Sequence, residues 1–100
     1  MVIIMNIEII KDTHGPYANS LHEYKPFLRE IVYAIEKIGT KNIKQLDIIY
    51  SGELIRTQDD IKITSRAIII KQAIKRENDY IHTKIIDVDK ISSIEIWECK

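Results

Sequence analysis

The residues of this chain whose types and spacing could do chemistry fall in three places: a loop with Asp12 and His14, a cationic stretch around Lys71 to Lys84, and Trp97. Asp12-Thr13-His14-Gly15, with His22 and Glu23 further along, offers carboxylate and imidazole donors of the kind that hold a hard or borderline metal. Aspartate and glycine are also ordinary turn formers, and no second pair repeats zinc-finger spacing. The stretch is therefore expected to be a loop, with no metal and no cofactor.

Nucleophilic and acid–base chemistry find no framework. Ser20, Ser51, Ser65, Ser92 and Ser93 lack the glycine-flanked setting of a nucleophile elbow, and no glycine-rich phosphate loop exists. Asp59-Asp60 and Asp87 with Asp89 sit where turns are expected, which is the commoner use of such carboxylates. The expectation is a protein that is not an enzyme. Cys99, the single cysteine, excludes an internal disulfide and reads as an incidental thiol.

The more specific pattern is a hairpin from Ala67 to Asp87 folded about Glu77-Asn78. Alternation pairs Lys75 with Tyr80, Ala73 with His82 and Lys71 with Lys84 on one face, and Ile74 with Ile81 and Ile70 with Ile85 on the core face. The outer face would then present Lys71, Lys75, Tyr80, His82 and Lys84, with Arg76 at the tip. Like charges directly opposed, as in Lys71 and Lys84, repel unless an anion or acidic surface relieves them. The other reading is a plain solvated face, with Glu77 and Asp79 partly neutralising the tip. Trp97 alternates outward with Ser93 and Glu95. It reads either as an interface anchor or as a ring folded back over a sheet edge.

The elements that must position these residues are well punctuated. Residues 2 to 10 carry apolar side chains on both parities and read as a strand covered on both faces. Residues 11 to 19 are a loop around Gly15-Pro16. Leu21, Tyr24, Phe27, Leu28, Ile31, Ile35 and Ile38 recur at helical spacing. Ser20 and Glu23 have capping-box spacing, Pro26 suits the first helical position, and Gly39 can close the helix, which is placed at about 26–38. Strands follow at 43–50, 53–57, 60–64, 67–75, 80–87 and 91–98, with turns at Ser51-Gly52 and at 76–79. The segment after Ser65 has a second reading as a helix with Ala67, Ile70 and Ile74 on one face.

The chain has 100 residues, 45% apolar and 30% charged, which suits one domain with one core and excludes disordered and low-complexity classes. Fifteen basic residues balance fifteen acidic ones, so the total charge draws the protein to neither nucleic acid nor an anionic membrane. The sequence has 24 isoleucines against four leucines and three valines. Packing does not require such an imbalance, so isoleucine loses some weight as a strand signal. The apolar start has no basic leader and is interrupted by Asn6 and Glu8, so it reads as neither signal peptide nor membrane span. The expected location is the cytoplasm. Met5 is an alternative start, since the strand survives without the first four residues.

The fold expected is α+β: an N-terminal strand, one main helix, then an antiparallel β-meander forming a sheet or a small SH3- or Sm-like barrel. Residues 53–64 lack the strand glycine and the Asp-x-φ-x-Asn arrangement of Sm-like RNA readers, so no family is assigned. Without catalytic motifs, the expected function is a small non-catalytic protein-binding module, an accessory inhibitor or regulator of the kind viruses and mobile elements encode. The partner would be another protein, and a homodimer through an uncovered sheet edge fits as well. The alternative is a small nucleic-acid-binding domain using the basic and aromatic hairpin face.

Overall fold

The structure, a computed structural model, describes residues 5–11, 20–74 and 80–99. Its elements follow the order read from the turn residues: β1 (Ile7–Ile9), α1 (Pro26–Ile38), β2 (Ile43–Tyr50), β3 (Glu53–Thr57), β4 (Asp60–Ile63), β5 (Ala67–Ile74), β6 (Tyr80–Asp87) and β7 (Ile91–Glu98). The fold is α+β. Two open sheets stand in place of a barrel, one of order β1-β4-β5-β6 and one of order β3-β2-β7. The segment after Ser65 is strand, and its helical reading is set aside.

Helix α1 starts where proline costs least. Pro26 takes the first position and Lys25 the N-cap, with no side-chain hydrogen bond there, so Ser20 and Glu23 do not cap it. Ser20 instead accepts from the backbone N–H of His22 at 3.3 Å. Gly39 ends the helix at φ +93°, its N–H donating to the Ile35 carbonyl. Leu28, Val32 and Ile35 are buried to near completion, whereas Phe27, expected on the same stripe, is 43% exposed. Val32 takes that place, because the stripe drifts around a 3.6-residue helix and meets the core at Leu28, Val32 and Ile35. Just before the helix, the buried Tyr24 sends its hydroxyl towards the carbonyls of Ile10 and Ile63, fastening the turn to the ends of β1 and β4.

Short turns set the strand breaks. Ser51 (φ +49°) and Gly52 (φ +82°) close the β2–β3 hairpin in two residues of left-handed conformation, the pair that matches strand twist. The Thr64 hydroxyl accepts from the N–H groups of Arg66 and Ala67 between β4 and β5. The Asp87 carboxylate accepts from the Asp89 N–H before β7, so Asp87 serves as a turn cap, while the Asp89 carboxylate pairs with Lys25. β1 departs from the meander by pairing with β4 in parallel. It is covered on one face only: Ile7 is buried while Glu8 points to solvent.

Both sheets and the helix feed one core. Ile61, Ile63, Ile68, Ile70 and Ile86 come from the first sheet and Ile43, Leu46 and Ile48 from the second, with Met5, Leu21 and Tyr24 beside them. Irregular register serves this packing. The β2–β7 pairing slips between Ile43 and Gln45, which lets residues of opposite parity, Ile43 and Leu46, both face inward. Among the described residues, no helix is long and apolar enough to cross a membrane.

Candidate binding surface on the β5–β6 hairpin

Strand β4 is shorter than β5 and β6. Its last partner on β5 is Lys71, opposite Asp60, while β5 continues to Ile74 against Tyr80 of β6. Residues 72–74 and 80–82 therefore form a two-stranded ribbon beyond the third strand. Two strands alone are marginally stable in water. Among the described residues β6 is also the edge of its sheet, eight residues long, with Tyr80 to Ile85 all exposed and no register slip along it.

The register corrects the pairing expected from sequence by one residue. Lys71 faces Thr83, Gln72 faces His82, Ala73 faces Ile81 and Ile70 faces Lys84. Lys71 and Lys84 thus lie on opposite faces, and no like-charge pair arises between them. The cause is the core: Ile68 and Ile86 face each other, both buried. That leaves Ile85, expected inside, 69% exposed and Ile81 70% exposed.

Each face of the hairpin acquires its own chemistry. The outward face carries Ile69, Lys71, Ile81, Thr83 and Ile85. Lys71 stands opposite Asp60, and Lys62 lies 3.8 Å from Glu8, so the cations on this side have acidic neighbours. A shallow groove of about 430 Å³ runs between Glu8, Asp60, Lys62, Ile69, Lys71, Thr83 and Ile85. The inward face bears Tyr80, His82 and Lys84 beyond the core. His82, Lys84 and Gln72 border a cleft of about 230 Å³ together with Arg56 and Thr57 of the other sheet and Asp59 of the turn that follows β3. Arg56 is a cation that local sequence reading missed, since only the meeting of the two sheets brings it there. Lys75 and Arg76 lie outside the described residues, as do Asp12 and His14.

Trp97 sits on the other sheet and is 46% exposed. Its indole N–H donates to Asp47 Oδ2 at 3.0 Å, while Gln45 Nε2 donates to Oδ1 at 2.7 Å and the Arg56 guanidinium lies 3.6 Å away. Asp47 is only 4% exposed, although it points away from the core. A carboxylate loses favourable hydration on burial, so these donors and the covering ring are what let it stay there. Trp97 faces Gln45 across the β2–β7 pair, a neighbour 52 residues away in sequence that no local pattern reveals.

Among the described residues, no group of three or more His, Cys, Asp and Glu side chains could hold a metal ion. No family model, curated protein or solved structure matches the chain.

Proposed function

We propose that this is a non-catalytic binding module that engages a protein partner along the β6 edge and the outward face of the β5–β6 hairpin. The observation that carries the reading is the β6 edge itself: among the described residues it has no partner on its far side, Ile81 stands on the ribbon beyond the third strand, and Ile81 and Ile85 are both turned to solvent. Natural edges are commonly protected by proline, bulges or charged side chains, lysine above all. β6 has neither proline nor bulge, its outward residues from 81 to 85 are isoleucine, threonine and isoleucine, and its charges are Lys84 on the inward face and Asp87 at its end. Strand addition would satisfy the free backbone groups of β6 and bury both isoleucines. An inhibitor or regulator would need nothing more. A second copy of the chain is one partner of this kind.

The nucleic-acid reading rests on Tyr80, His82 and Lys84 with Arg56 at the cleft. It is the weaker one, because Lys71 is on the other face and Glu53 and Asp59 also line that cleft. A photo-reactive residue at position 85, with position 54 as an exposed control on the other sheet, separates the readings. Nuclease-resistant protein adducts from 85 and none from 54 support the proposal. Adducts lost on nuclease treatment, or arising equally from 54, overturn it.

A further inference from the structure

We infer that the partner strand of β6 is β6 of a second copy, giving a two-fold dimer whose four-stranded sheets join into one of eight strands; this rests on the binding surface proposed above. The strand is complementary to itself. Facing residues of an antiparallel pair point to the same side of the sheet, so a strand meets its own copy symmetrically only when the two-fold axis passes through a residue. Ile81-His82-Thr83-Lys84-Ile85 is close to a palindrome about Thr83. With the axis there, Ile81 faces Ile85 of the second copy, Thr83 faces Thr83, and Ile85 faces Ile81. The apolar row becomes continuous across the joint.

On the inward face the same register sets His82 against Lys84 of the second copy and Tyr80 against Ile86. No two lysines oppose one another. The neighbouring symmetric registers lack this match. An axis through Lys84 sets that lysine against itself and Ile81 against Asp87, both unfavourable. An axis through His82 leaves Ile81 against Thr83 and carries Ile85 past the described end of the strand. The pattern that leaves β6 exposed as a monomer is thus the one an isologous interface requires. The joint is small, so roughly micromolar dissociation is expected.

Directly opposed Cα atoms in such a pair lie about 4.5–5.5 Å apart, within the range a disulfide spans. In a Cys99→Ser background, Thr83→Cys is therefore expected to form a covalent dimer on mild oxidation. Ile81→Cys alone is not, since its own copy lies about 13 Å away along the strand, but a mixture of Ile81→Cys and Ile85→Cys is expected to cross-link. Sedimentation equilibrium should show a concentration-dependent dimer that Ile81→Lys and Ile85→Lys each weaken at least tenfold, with an unchanged circular dichroism spectrum. A monomer throughout, a dimer indifferent to both lysines, or failure of Thr83→Cys to cross-link overturns the inference. A monomer that still yields foreign-protein adducts from position 85 removes the second copy and leaves the binding surface standing. One that yields none removes both.

Discussion

Replacing Trp97 by phenylalanine keeps an aromatic cover on the outer face of β2 and deletes a single donor. The indole N–H lies 3.0 Å from Asp47 Oδ2, and the carboxylate is nearly inaccessible to water. A hydrogen bond to a charged group is worth about 1.5–3 kcal/mol. Arg56, largely exposed at 3.6 Å, compensates weakly, because exposed ion pairs contribute about 0–1 kcal/mol. The expected loss is about 2 kcal/mol, or a fall in Tm of roughly 10 °C for a domain of this size. Asp47→Ala removes the acceptor, so Trp97→Phe in that background should cost only the small difference in ring burial. The double-mutant cycle should give a coupling of about 1.5 kcal/mol. Urea unfolding followed by far-ultraviolet circular dichroism suits the assay, since Trp97 is the only tryptophan and its fluorescence changes with the mutation. If the two losses add to within about 0.3–0.5 kcal/mol, as uncoupled sites do, the hydrogen bond contributes nothing and the account of Asp47 is wrong.

Other substitutions probe the scaffold. Ile86→Ala should cost about 2–4 kcal/mol and Ile85→Ala under about 0.5 kcal/mol in the dilute protein, as read by urea midpoints; the reverse order would restore the hairpin register expected from sequence. Gly39→Ala should destabilise by about 1–2 kcal/mol in thermal melts, because φ is +93° and the new Cβ would lie 3.1 Å from Asn42 Nδ2. Ser51→Gly should stabilise by roughly 0.5 kcal/mol, since Ser51 holds a left-handed turn position that glycine occupies without strain. Tyr24→Phe should cost about 1–2 kcal/mol on the same melts by removing the hydroxyl shared between the Ile10 and Ile63 carbonyls.

The element boundaries were legible because turn chemistry is local. Ser51-Gly52, Gly39 and Pro26 each require a particular backbone conformation, and the strands and helix end where these residues stand. Register was not legible, for a reason in the composition. Ile68-Ile69-Ile70 and Ile85-Ile86 offer an isoleucine to either face, so alternation alone does not say which one enters the core. One residue of slip then dispersed the expected cationic face and exposed Ile81 and Ile85. The parallel β1–β4 pair, the cleft that Arg56 shares with His82 and Lys84, and the Asp47–Trp97 bond depend on the meeting of distant segments, which local periodicity does not encode.

The claim that β6 is the working edge is tested most directly by hydrogen exchange resolved along the chain, recorded on the dilute protein and again at high concentration or with the partner trapped at position 85. The amides of Tyr80 to Ile85 that point away from β5 should exchange rapidly in the dilute protein and become protected on association, while β7 around Trp97 stays unchanged. Protection arising at β7 with β6 unaffected would contradict the account, as would β6 amides already slow throughout in the isolated chain.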